Sequence, residues 1–277
     1  MNKRLQFRHL ARVGLVLPAV LLTACGGSSS SEDAKPAADQ PPEALYSQAQ
    51  QAFDERDFKT ASTRFDEVER QHPYSTWATK AQLMSAYASY QRGDYDGAIV
   101  ALDRFISLHP GSEELAYAYY LKALCYYDRI SDVERDQRIT QLATVALNDV
   151  ITRFPDSDYA RDAKLKLDLT YDQLAGKDMA IGRFYLKRGE YNAAINRFRS
   201  VIKTWQTTSQ VPEALERLVE AYVALGLKDE ARHVAAVLGY NYPGDPWYQD
   251  AYVLLTGSGI RPPDDKDFFD RTIGSIL

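Results

Sequence analysis

From Glu43 onward, apolar residues recur at the three- and four-residue spacing of amphipathic helices, and short polar turns break the runs. No stretch alternates in the two-residue rhythm of a strand, so the pattern predicts an all-α chain. Five segments fall into one register: "DFKTASTRFDEVERQHP", "DYDGAIVALDRFISLHP", "DQRITQLATVALNDVITRFP", "EYNAAINRFRSVIKTWQ" and "LKDEARHVAAVLGYNYP". Each carries an alanine (Ala61, Ala98, Ala143, Ala194, Ala231), with Phe65, Leu102, Leu147, Phe198 or Ala235 four positions later. Twelve positions after the alanine stands Pro73, Pro110, Pro155, Gln206 or Pro243, preceded by His72, His109, Phe154, Trp205 or Tyr242. Twelve positions before it lie Ala49, Ala86, Gly182 and Val219; in the third segment Ala123 stands twenty before, because eight residues near 131–138 are inserted.

The register reads as helix pairs. Small residues let helix A and helix B of a pair approach closely, and the large residue four positions on fills the gap to the next pair. Gly93, Gly189 and Gly226, each five before its alanine, mark the end of helix A, where a left-handed residue is needed. Proline closes helix B because it cannot continue one. The alanines are 37, 45, 51 and 37 residues apart. The largest surplus, over 159–188, predicts one extended helix of up to about 45 Å, with Gly176 or Gly182 as its kink point. This pattern resembles the tetratricopeptide repeat, which implies a superhelical solenoid of five helix pairs with a concave binding surface.

The chain opens differently. Residues 1–12 are basic and 13–23 apolar, the layout of an export signal, and eleven apolar residues are too few to span a bilayer. Leu22-Thr23-Ala24-Cys25 resembles the lipobox of bacterial lipoproteins. That implies cleavage before Cys25, a diacylglycerol on its thiol and an acyl group on the new N-terminus; the plainer alternative is an ordinary signal peptide followed by a chance cysteine. Gly26 stands where an aspartate would oppose outer-membrane sorting by the same resemblance. The expected organisation is a signal peptide (1–24), a linker with lipidated Cys25 (25–42) spanning ~20–25 Å, a five-repeat domain (43–256) and a tail (257–277).

The formal charge is −5, and the first 24 residues hold Lys3, Arg4, Arg8 and Arg12 with no carboxylate, so the remainder is more acidic still. General nucleic-acid binding is therefore a poor fit. None of the four histidines stands at ligand spacing with another His or Cys, no phosphate loop or nucleophile elbow occurs, and Cys125 lies in an apolar helix. No enzyme, metal or cofactor is expected, apart from the lipid on Cys25.

In these repeats helix A lines the groove. The register assigns Tyr46, Phe53, Leu83, Tyr87, Tyr90, Tyr117, Tyr120 and Tyr127 to it in the first three pairs, an aromatic set suited to an extended segment. The other reading is that these tyrosines simply pack neighbouring helices. In the last two pairs the same face offers Arg183, Lys187, Glu216 and Glu220, suited to a folded partner of complementary charge. The fifth repeat opens Val211-Pro212-Glu213 without a basic residue, so no ion pair is expected there.

Lipobox, linker, five repeats with this insertion pattern and a short tail together resemble the BamD family, the lipoproteins of the outer-membrane β-barrel assembly complex. The resemblance covers 17 to about 255. It implies a non-catalytic scaffold and substrate receptor on the periplasmic face of the outer membrane. Its first repeats would receive unfolded outer-membrane proteins by their aromatic-ended carboxy-terminal signal. Its last repeats would dock the periplasmic domains of a BamA-type barrel, with accessory lipoproteins as further partners. A pilot lipoprotein for another envelope assembly, such as a pilus secretin, shares the architecture, but the extended helix argues against it. The tail reads either as a partner-binding helix from Asp264 or as disordered.

Overall fold

The computed structural model describes residues 40–260, and every regular element among them is an α-helix. Five pairs follow one another: α1 (Pro42–Asp54) with α2 (Phe58–Gln71), α3 (Thr76–Gln91) with α4 (Tyr95–Leu108), α5 (Leu115–Tyr127) with α6 (Arg138–Arg153), α7 (Asp158–Lys187) with α8 (Tyr191–Thr204), and α9 (Val211–Ala224) with α10 (Lys228–Asn241). An eleventh helix, α11 (Pro246–Gly257), follows, with no helix B after it among the described residues. The signal peptide, Cys25, nearly all of the linker and the tail beyond Ile260 lie outside the described residues.

Each helix packs on its chain neighbour. The odd-numbered helices also approach in succession, α1 to α3 through α9 to α11, whereas the backbones of α2, α4, α6, α8 and α10 stay apart from one another. The A helices thus crowd along one side of the stack and the B helices splay along the other.

The register of small and large residues is the core. Ala49, Ala61, Ala86, Ala98, Ala123, Ala143, Ala194, Val219 and Ala231 are fully buried, as are Phe65, Leu102, Leu147 and Phe198. Burying each of those large side chains is worth ~1.5–3 kcal/mol. Gly182 shows why size matters at the small positions: a Cβ there would lie 2.4 Å from Phe198 Cε1.

The turns also follow the register. Gly93, Gly189 and Gly226 have φ of +79°, +73° and +73°. In the first pair the same place falls to Arg56, with φ +62° and no glycine to ease it. The next residue starts helix B and donates back into helix A: Asp57 N to Ala52 O (2.9 Å), Asp94 N to Ser89 O (2.9 Å), Glu190 N to Tyr185 O (3.0 Å), Leu227 N to Tyr222 O (2.9 Å). Asp57 and Asp94 also cap their helices, accepting from Thr60 N and Gly97 N. Helix B ends each time on a residue outside the helical region, from His72 (φ −134°, ψ 59°) to Tyr242 (φ −134°, ψ 55°), clear of the α conformation that a following proline disfavours. Trp205 has no proline after it yet takes φ −122°, its ring held 5.5 Å from that of Tyr171.

Helix α7 runs for 30 residues without interruption, so neither Gly176 nor Gly182 breaks it. It touches α5, α6, α8 and α9. The inserted turn before α6 is folded on the nearly buried Gln137, whose Nε2 donates to the carbonyls of Asp132, Val133 and Arg135 (3.1–3.2 Å). The turn is fastened to α7 by Gln173 Nε2 to Ser131 O (2.6 Å) and Lys177 Nζ to Glu134 O (2.7 Å). Helix α11 was not in the five-pair register. Its signals are Asp245-Pro246, where the Asp245 side chain caps Trp247 N, and the buried Ala251 and Leu255.

Candidate functional site

On the A helices of the first three pairs, rings meet in sequence. Phe53 of α1 stacks on Tyr87 of α3, with centroids 5.4 Å apart. Tyr87 lies 6.2 Å from Tyr90 and 6.4 Å from Tyr117 of α5. Tyr117 and Tyr120 then meet Tyr159 at the start of α7, at 5.5 and 5.3 Å. Every ring of this ladder is half-buried. Each therefore joins one repeat to the next while leaving part of its surface to solvent.

The hydroxyl tips divide into two kinds. Tyr90 Oη donates to Asp128 and Tyr120 Oη to Asp162, whose carboxylate also accepts from Lys166 Nζ at 2.7 Å. Burial, reinforced by those carboxylates, pushes both phenols well above the ordinary tyrosine range. Lys166, then Tyr120, holds Asp162 below the usual carboxylate range. Tyr87 and Tyr117 make no hydrogen bond through their hydroxyls within the described residues. Burial raises the Tyr117 phenol as well.

The remaining residues of the aromatic set sit elsewhere. Tyr46 packs between Phe65 of α2 and Trp77 of α3, with centroids 5.2 and 4.9 Å away, apart from the ladder. Leu83 is buried in the core rather than displayed, because its face of α3 meets α4 and α5. Tyr127 lies beyond the ladder under the Lys166 ammonium (5.5 Å) and lines a cavity with Ile130, Val133 and Leu169. Tyr159 was missed by the sequence reading; its one signal was its place at the start of the extended helix. Asp128 and Asp162 were missed too.

The second half carries an ion network. Arg183 of α7 pairs with Glu213 of α9 at 3.0 Å, which corrects the expectation of no ion pair at the start of the fifth repeat. The cation comes from the preceding A helix, not from the helix itself. Arg217 reaches Glu220 at 2.8 Å and Glu216 at 3.3 Å and lies 5.1 Å over the Trp247 ring of α11. Glu216 is only 5% exposed, so it stands inside the protein rather than on a docking surface. Burial pushes its carboxyl up to about 7 against the opposing pull of Arg217, and Glu220, Asp250 and Glu213 add to the rise. Glu220 is held by Arg217, and Lys187 alone of the four docking candidates is exposed and outside the network. Arg217 and Trp247 are the members that sequence reasoning missed.

Cys125 is fully buried, and burial pushes its thiol up to about 12. Among the described residues no three His, Cys, Asp or Glu side chains group as metal ligands would, and no helix is long and apolar enough to cross a membrane.

A family profile described as outer membrane lipoprotein (YfiO) matches residues 38–238. The chain is 50% identical over 260 residues to the outer membrane protein assembly factor BamD of Caulobacter vibrioides, covering 93% of this chain and 84% of that one. It is 46% identical over 243 residues to BamD of Rickettsia prowazekii, covering 88% and 93%. Among solved structures, the TPR domain of P58(IPK) aligns at 16% identity and a TM-score of 0.39, over 83% of this chain and 64% of that one.

Proposed function

Given that the chain belongs to the YfiO family of outer membrane lipoproteins, beside the assembly factors named BamD, we propose that it serves as a non-catalytic scaffold and substrate receptor in outer membrane protein assembly. Assembly of outer membrane proteins is the function of this family. Within it, the ring ladder from Phe53 to Tyr159 receives an extended segment of an unfolded outer-membrane protein. The last two pairs, with Lys187 exposed beside the Arg183–Glu213 and Arg217 network, face the periplasmic domains of a BamA-type barrel. The lipid on Cys25 holds the body at the periplasmic face of the outer membrane, and no metal or cofactor takes part.

The observation that supports this reading is the unbroken run of half-buried rings along successive A helices, ending in two hydroxyls, Tyr87 and Tyr117, without partners among the described residues. An extended chain laid across them gains ring contacts and hydrogen bonds for its backbone. The test is the affinity of the full chain for an aromatic-ended carboxy-terminal barrel peptide, with and without Tyr87→Ala and Tyr90→Ala together. We expect the double variant to bind about tenfold more weakly with its helical circular dichroism intact. Unchanged affinity would return the rings to a packing role. Cys25→Ser is expected to leave the outer-membrane fraction; normal fractionation would remove the anchor.

A further inference from the structure

The splayed B helices leave a trough between each consecutive pair. Two of these troughs form cavities lined by the same register positions, one between α2 and α4 and one between α8 and α10. In the first, Glu69 faces Arg104 and the two form an ion pair across the trough. Their counterparts, eight and six positions after the repeat alanine, are Ile202 and Val237. The two troughs between these, α4 to α6 and α6 to α8, have Ile106 with Asp149 and Ile151 with Ser200 at those places. Only between α8 and α10 are both sides aliphatic.

A second position changes sign. Five after the alanine stand Asp66, Asp103, Asn148 and then Arg199; nine after it stand Arg70, which is paired with Glu67, then Ser107, Thr152 and Lys203. Arg199 and Lys203 are exposed, and neither forms an ion pair within the described residues. The α10 wall adds Glu230 and His233, and Leu215, Leu218 and Tyr222 of α9 lie beneath. The result is a cavity of about 290 Å³ with an apolar floor and a basic α8 wall. The bridged trough is wider, about 640 Å³, and more open to solvent.

We infer that the trough between α8 and α10 is a docking site for a protein segment that inserts an aliphatic or aromatic side chain over Leu215 and Leu218 and sets a neighbouring carboxylate against Arg199 and Lys203. The cavity suits one large side chain. In a chain whose net charge is −5, two cations without an ion pair among the described residues, beside an apolar floor, select an acidic partner over a basic one. The site opens between the B helices over an α9 floor, its lining shares no residue with the ring ladder or the Arg217 network, and it does not rest on the function proposed above.

The test places a photo-crosslinking amino acid at Gln206, on the rim, in the full chain in living cells, with a second chain carrying it at Arg70 in the bridged trough. Adducts are mapped to the partner peptide by mass spectrometry. The expected result is an adduct from Gln206, absent from Arg70, on a segment with Asp or Glu within one helical turn of an apolar residue. Ile202→Glu with Val237→Arg, which transplants the Glu69–Arg104 bridge, is expected to cut its yield about tenfold. Lys203→Glu is expected to act in the same direction through an exposed site that leaves the packing alone. No adduct, an adduct to lipid, a partner segment without a carboxylate, or a yield untouched by Lys203→Glu would each overturn the proposal. Tyr87→Ala with Tyr90→Ala leaves this adduct in place, so the two readings fail separately.

Discussion

In the first three pairs the side chains that meet along the A helices are rings and phenol tips; from the second half of α7 to α11 they are guanidiniums and carboxylates. The backbone beneath is the same in both, set by Ala49, Ala86, Ala123, Gly182 and Val219 at one depth and by left-handed turn residues at the helix ends. The difference teaches that the small-and-large code specifies how helices pack and leaves the chemistry of the inner face open. The two halves also hold together by unlike forces. Ring pairs contribute ~0.5–1.5 kcal/mol beyond their burial and are indifferent to salt. A network in which Arg217 serves Glu213, Glu216 and Glu220, with Arg183 sharing Glu213, depends on ionisation.

The comparison is broken most severely by Gly182→Ala. The new methyl collides with Phe198, and we expect a loss of about 2–3 kcal/mol. Because repeats are stabilised mainly by their neighbours, hydrogen exchange should show α7–α11 losing protection before α1–α4; uniform loss would mean the halves unfold as one. Arg217→Met comes next, at about 2 kcal/mol, since it leaves Glu216 and Glu220 without their cation and Glu213 with Arg183 alone. Its thermal unfolding should respond to salt differently from wild type, whereas Tyr87→Phe should not.

Glu216 sharpens the contrast through pH. Its carboxyl is raised from 4.5 to about 7, so the folded chain holds a proton that the unfolded chain has released. Stability from this group is therefore full below about 4.5, falls as pH rises toward 7 and is lost above it. Glu216→Gln should stay close to wild type near pH 4.5 and exceed it in stability at pH 8, read by thermal melts. An equal difference at both pH values would show that the carboxyl titrates normally. The smallest effect belongs to Arg56→Gly, which relieves a left-handed arginine for a gain of about 0.5 kcal/mol after the entropy of glycine is set against it.

Much of the fold was legible because it is written locally. Alanine, large residue, glycine and proline sit at fixed offsets, and each states a requirement of one helix or one turn. Arg56 and Trp205 show the limit: the turn and the helix end form there without the expected glycine or proline, because the surrounding repeat imposes them. Helix α11 escaped because its sequence carries an A-helix pattern without the alanine, large residue and proline of a following helix B. At the candidate site, the ladder residues on α3 and α5 could be read from helical spacing. Tyr46 and Leu83 could not be told from them, since an offset gives a face and not the neighbour that covers it. Arg183–Glu213 joins residues 30 apart on two helices, and Glu216 is buried by α11, which the register did not contain.

One helix carries both chemistries. Tyr159 closes the ring ladder at the first turn of α7 and Arg183 opens the ion network near its last, 24 residues further on. At 1.5 Å per residue they stand ~36 Å apart on a common rod. Such a rod works as a lever: a tilt of about 5° at the tyrosine end moves the arginine end by ~3 Å, about the length of the bond between Arg183 and Glu213.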